Sequence, residues 1–160
     1  MSQSAAYDKL QVTATEFAQS YNKAFSTKDA SFLSTTLSPE CTRTILPSSF
    51  LASLGRENKP ISNAAYEAVV KSEFPAFQSQ KIRLNRLAID EVQKSAFLLI
   101  NVEVSLRDTH TYDLDFAFLI EMTEPCDKIK AVTQFLDTAK CVEARGKIDA
   151  ILKELGNSDL

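Results

Sequence analysis

Apolar residues change their period about half-way along the chain. Phe17, Tyr21, Ala24 and Phe25 recur at helical intervals and form one apolar stripe. Thr13 and Glu16 ahead of them stand at capping-box spacing, which predicts that a first helix opens there. Asp29 is placed to cap a second, short helix carrying Phe32, Leu33 and Leu37, with Pro39 as its stop. From Cys41 to Gly55, the residues Ile45, Leu46, Phe50, Leu51 and Leu54 make the chain too apolar for a solvated loop and too irregular for a long helix. This stretch is expected to lie over the core as a covering segment. Asn63 predicts the start of a third helix through Tyr66, Val69 and Val70, ending near Pro75.

The second half alternates. Ile82 and Leu84, then Leu87 and Ile89, predict a strand whose phase shifts between the two pairs, as a bulge requires. Three longer strands are expected over Ser95–Arg107, Tyr112–Glu121 and Ile129–Asp137, joined by links short enough to favour antiparallel neighbours. These strands are apolar on both faces, so helices should cover one face and another subunit the other. A closing helix is expected from about Val142 to Leu155. Helices, then a curved antiparallel sheet, then a helix describe an α+β domain. The expected organisation is a flexible N-terminus over residues 1–11, one domain over 12–155 and a tail over 156–160.

Composition narrows the chemistry. The chain has 160 residues, 44% hydrophobic and 24% charged, enough to bury a core. A net charge of −3 argues against a surface built for nucleic-acid phosphates. Lys71, Lys81, Arg83 and Arg86 are expected to be a solvated helix and strand edge. Gly55, Gly146 and Gly156 are too far apart to cradle a phosphate. One histidine, His110, and three cysteines without a C-x-x-C pair leave no metal site to expect. Apolar runs such as Ala96–Ile100 are too short to span a membrane, and the opening MSQSAAYDKLQ has no apolar core or basic leader. Three scattered cysteines suit a reducing interior, so a cytoplasmic location is expected, with Cys41, Cys126 and Cys141 structural.

Several short words then occur in a telling order: Phe17, Tyr21 and Asn22; Pro39-Glu40-Cys41; Ile45-Leu46-Pro47; Gly55-Arg56-Glu57-Asn58; Asn63-Ala64-Ala65-Tyr66; Phe74-Pro75-Ala76-Phe77; Tyr112-Asp113-Leu114-Asp115-Phe116; and Phe135-Leu136-Asp137-Thr138. In this order, over roughly residues 12 to 150, the chain resembles the nuclear-transport-factor-2-like superfamily, and within it the fungal SnoaL-like (ketosteroid-isomerase-like) proteins of secondary metabolism. The resemblance implies a cone-shaped curved sheet wrapped around N-terminal helices, an apolar pocket, no cofactor and a homodimer formed through the sheet. It implies a small apolar molecule as partner, with no nucleic acid and no membrane. Relatives include isomerases, cyclases, dehydratases and hydrolases of polyketide or terpenoid intermediates, and also binding proteins with no chemistry. The chain departs from the family in its strand acid pair, where Leu114 and Asp115 stand for Asn and Glu. Gln134 stands where relatives tend to carry a glutamate, and Arg43 where many carry a histidine.

The resemblance makes Asp115 the candidate general acid or base. Between Leu114 and Phe116, its carboxylate is expected to be partly desolvated; the alternative is an aspartate near a strand end, bonded to a loop or a partner subunit. Arg43 is a candidate to pair with Asp115 or to hold a substrate carboxylate or enolate oxygen, against a plain surface arginine. Tyr21 is a candidate acid or oxyanion donor, against an ordinary core aromatic. Gln134, Tyr66 and Phe25 are candidate substrate contacts. Asn101 and Glu103 share one strand face, which either lines the cavity or meets solvent and the partner; the strand register decides. Asp137 is expected to cap the closing helix, and His110 to lie in an exposed turn. The expected activity is a cofactor-independent isomerase, cyclase or dehydratase of an apolar polyketide or terpenoid intermediate. The alternatives are a non-catalytic dimeric small-molecule-binding protein and a protein-interaction module using the sheet face.

Overall fold

The computed structural model describes residues 4–156; residues 1–3 of the expected flexible N-terminus and 157–160 of the expected C-terminal tail lie outside the described residues. Helix α1 spans Ala5–Thr27, with Ser4 as its cap: the Ser4 side chain accepts from the Tyr7 N–H. The helix thus opens before the Thr13–Glu16 pair rather than at it. Thr13, buried in mid-helix, instead donates its hydroxyl to the Cys126 carbonyl at 3.1 Å. The stripe Leu10, Ala14, Phe17, Tyr21 and Ala24 is buried against the sheet. Asp29 caps a short 3-10 turn, Ala30–Ser34, as expected.

That turn stops before Leu37, and residues Leu37–Leu46 form strand β1. The helix expected through Leu37 and the covering segment expected from Cys41 both give way here. The helical spacing of Phe32, Leu33 and Leu37 is real but too short to decide the element. The inward Cys41, Arg43 and Ile45 alternate with Thr42 and Thr44, which is a strand's period. Pro39 sits where the register of β1 shifts, so its missing N–H interrupts no regular ladder. The covering segment shrinks to helix α2, Ser48–Ser53, and the loop after it.

Strand β2 (Ile61–Ser62) is a two-residue edge, and helix α3 (Asn63–Glu73) follows. Ser62 is the cap of α3, accepting from the Ala65 N–H; Asn63 instead donates its side-chain amide to the Ser38 carbonyl at 2.9 Å. Strand β3 (Phe77–Asp90) carries the expected bulge, a register shift between Leu84 and Arg86. Strands β4 (Ser95–Leu106), β5 (Thr111–Met122) and β6 (Ile129–Leu136) run antiparallel as expected. Helix α4 (Thr138–Glu154) begins earlier than Val142, because Asp137 caps it by accepting from the Lys140 N–H.

The six strands lie in the order β2-β1-β6-β5-β4-β3. The sheet is mixed rather than wholly antiparallel, since β1 returns beside β6 in parallel. One face packs on α1: Leu98, Ile100, Val102 and Val104 of β4, and Leu114, Phe118 and Ile120 of β5, are buried. The other face carries the alternate residues, among them Phe97, Leu99 and Leu119.

Candidate functional site

Between the inner sheet face and helices α1, α3 and α4 lies a cavity of about 210 Å³. Phe25, Ile100, Val102 and Phe118 give it an apolar wall. Phe25 is held by edge-on contacts to Phe74 and Phe77, at 5.1 and 5.2 Å between ring centres. On α3 the residues Tyr66, Val69, Val70 and Glu73 recur at helical spacing, and all four line the cavity.

Strand alternation carries Arg43 inward on β1, where it is only 3% exposed. Its Nη1 donates to the Tyr21 hydroxyl oxygen at 2.9 Å and to Gln134 Oε1 at 3.0 Å. Its guanidinium lies over the Tyr66 ring at 3.8 Å and near the Phe17 ring at 5.9 Å. Nη2 is buried with no hydrogen-bond partner among the described residues, a state that costs roughly 1–3 kcal/mol.

Arginine can only donate, so both partners meet it with an oxygen. The Tyr21 oxygen is engaged as an acceptor, which leaves its O–H free of the arginine, with the Tyr66 hydroxyl as its hydrogen-bonding neighbour. The Gln134 carbonyl oxygen must face Arg43, which leaves its NH₂ group as the free end. Tyr21 and Gln134 both line the cavity, whereas Arg43 stands behind them. The arginine therefore holds both side chains from behind and leaves the Tyr21 O–H and the Gln134 NH₂ able to donate. Burial first, and the neighbouring Tyr21 hydroxyl second, push Tyr66 well above the ordinary tyrosine range, so its phenol stays neutral.

The cavity has a second polar end. Glu73 lies at the C-terminus of α3 and forms an ion pair with Arg145 of α4, whose Nε also lies 2.9 Å from Asp149 Oδ1 in a second ion pair. Glu73, Arg145 and the exposed Arg56 all line the cavity. Burial outweighs Arg145 and raises Glu73 from 4.5 to about 7. Cys141 also lines the cavity, but burial and the nearby Asp137 push its thiol up to about 12, so it serves as apolar wall.

Asp115, expected as the acid or base, lies outside this site. It is exposed on the outer sheet face, directly opposite Asn101, whose side-chain amide donates to it at 3.2 Å and also to Asp113. Leu114 and Phe116 are apolar because they line the cavity, and a strand turns its intervening residue to the opposite face. Arg43 consequently does not pair with Asp115. Asn101 and Glu103 share that outer face, with Glu103 paired to Arg83, so neither is a substrate contact inside the cavity. His110 lies in the exposed β4–β5 turn, 2.9 Å from Asp108.

No protein-family model matches the chain, and no curated protein matches it in sequence. Solved structures do. The pinacolase BvnE from Penicillium brevicompactum superposes with a TM-score of 0.77 at 16% identity, covering 94% of this chain and 97% of that one. PrhC from Penicillium brasilianum gives 0.75 at 13% identity, covering 97% and 95%. A nuclear-transport-factor-2-like protein of unknown function from Burkholderia pseudomallei gives 0.61 at 13% identity, covering 84% and 95%. The chain has the nuclear-transport-factor-2-like fold.

Within this fold the structure gathers Arg43, Tyr21, Gln134, Tyr66 and Phe25 at the cavity and sends Asp115, Asn101 and Glu103 to the opposite face. Sequence reasoning missed Glu73 and Arg145. A signal was available for Glu73, a carboxylate one helical repeat beyond Tyr66, Val69 and Val70. Arg145 likewise interrupts the buried stripe Cys141, Ala144 and Ile148 of α4.

Proposed function

We propose that the protein is a cofactor-independent isomerase, cyclase or dehydratase that uses acid–base chemistry on an apolar polyketide or terpenoid intermediate. The observation that carries this is that Tyr21 and Gln134, both lining an apolar cavity, accept from one buried arginine, which leaves the Tyr21 O–H and the Gln134 NH₂ as the donor pair. A carbonyl or hydroxyl oxygen seated on that pair gains two hydrogen bonds as negative charge develops on it. Arg43 adds positive charge behind both donors in a water-poor setting, where such an arrangement is strongest. The shared fold of the Penicillium pinacolase supports chemistry of this general kind. Three buried free thiols suit a reducing, cytoplasmic setting. A second copy of the chain is the partner that suits the outer sheet face, where Phe97, Leu99, Leu119 and Phe135 are exposed.

The test uses octalone, a bicyclic enone with acidic C–H bonds α and γ to its carbonyl carbon. Exchange of these hydrogens in D₂O is followed by NMR. Wild-type protein should accelerate the exchange. Tyr21→Phe should lower the rate about 100-fold, the usual loss for one oxyanion donor, and Asp115→Asn should leave it unchanged. Full activity in Tyr21→Phe contradicts the proposal. The outward Asp115 and largely apolar lining favour a second reading, a binding protein without chemistry, which predicts octalone bound but not exchanged.

A further inference from the structure

We propose that Glu73 is the catalytic group that moves the proton, acting across the cavity from the Tyr21–Gln134 donor pair; this rests on the function proposed above. Glu73 is the only carboxylate lining the cavity among the described residues. It lies seven residues after Tyr66 on one face of α3, so the two backbone positions are roughly 10 Å apart along the helix. Tyr66 stacks on Arg43 at the donor end. A rigid bicyclic ligand anchored by its oxygen at that end extends its carbon frame toward the Glu73 end.

The charges around Glu73 keep it able to exchange a proton. Arg145 approaches it from α4 but is shared with Asp149, which is half exposed and offsets part of the arginine's charge. Arg56 contributes from the loop after α2, and Tyr66 stays neutral on α3. Glu73 also occupies the last turn of α3, where the helix dipole disfavours a negative charge. Burial is the largest influence and brings the carboxyl to about 7, so both protonation states are accessible near neutrality. A glutamate serving only to fasten α3 to α4 needs neither the cavity position nor a shared arginine.

The step balances without a further reactant. The ionised carboxylate takes a proton from the substrate C–H. That bond's electron pair enters the carbon frame, and the carbonyl π pair moves onto the oxygen held by Tyr21 and Gln134. Return of the proton from the neutral carboxyl to another carbon completes an isomerisation. Its delivery to a departing hydroxyl completes a dehydration.

Octalone exchange in D₂O tests the assignment, with binding read separately from NMR line widths. Wild-type exchange should rise with pH and level off above about 7, because the ionised carboxylate is the base. Glu73→Gln should bind octalone as wild type does, lose about 100-fold in exchange and lose the pH step. If Glu73→Gln does not fold, Glu73→Asp replaces it. Setting the carboxylate back by one methylene should lower the rate about tenfold or more and retain the pH step. An undiminished rate in either variant, a flat wild-type profile between about pH 5 and 9, or bound octalone that wild type does not exchange overturns the assignment. Retained exchange in Glu73→Gln with loss in Tyr21→Phe removes Glu73 alone and leaves the proposed function standing. Failure of octalone to bind removes the proposed function and, with it, this role.

Discussion

Arg43 and Glu73 are each held in a condition that stability alone would not choose. Arg43 is buried among Phe17, Tyr21 and Tyr66, with one nitrogen unpartnered among the described residues. Two hydrogen bonds and a stacked ring offset part of the desolvation of its charge, but no carboxylate among the described residues joins them. Glu73 shows the converse, a carboxyl whose folded-state value of about 7 lies above its ordinary 4.5. In that window the folded state binds more protons than the unfolded chain, so stability falls as pH rises from about 4.5 to 7. The expected loss is on the order of 3 kcal/mol. Melting temperatures across this range should decline more steeply for wild type than for Glu73→Gln, which has no carboxyl to ionise. Parallel curves would contradict the burial of this carboxyl.

At the scale of elements, the sequence revealed those whose period ran long enough to be unambiguous. Strands β4, β5 and β6 each alternate over several residues, and their predicted limits fall close to Ser95–Leu106, Thr111–Met122 and Ile129–Leu136. The bulge in β3 was visible as a phase shift, and the cap on α4 as Asp137. Strand β1 was hidden because a short apolar triplet mimics a helix and a proline mimics its stop. The parallel pairing of β1 with β6 joins residues far apart in sequence, so no local pattern reports it. The candidate site divides along the same line. Arg43, Tyr21, Tyr66 and Gln134, singled out with the help of the family resemblance, do lie together in the fold. Asp115 was not, because its neighbours along a strand describe the opposite face, and only the register opposite Asn101 reveals its own.

Across the whole molecule, the sheet separates two tasks. Its inner face makes the cavity, and its outer face divides into a polar end and an apolar end. Arg83–Glu103 and the Asn101 bonds to Asp113 and Asp115 occupy the polar end. Phe97 lies directly opposite Leu119, and Phe135 opposite Ala117, at the apolar end. Phe97, Leu99, Leu119 and Phe135 are between 38% and 50% exposed, so a second copy covering them gains the burial the fold leaves open. Sedimentation of the wild type should give a dimer, and Leu119→Lys should shift it toward monomer while leaving octalone exchange measurable. A monomeric wild type would contradict this arrangement.

On the proposed function, Arg43 holds Tyr21 and Gln134 so that the O–H of one and the NH₂ of the other receive a ligand oxygen in the cavity. A crystal structure of the complex with β-naphthol tests it most directly. The naphthol ring should fill the apolar cavity, with its oxygen within hydrogen-bonding distance of Tyr21 Oη and Gln134 Nε2. An oxygen turned toward Arg56 and Arg145, or an empty cavity at saturating naphthol, would contradict it.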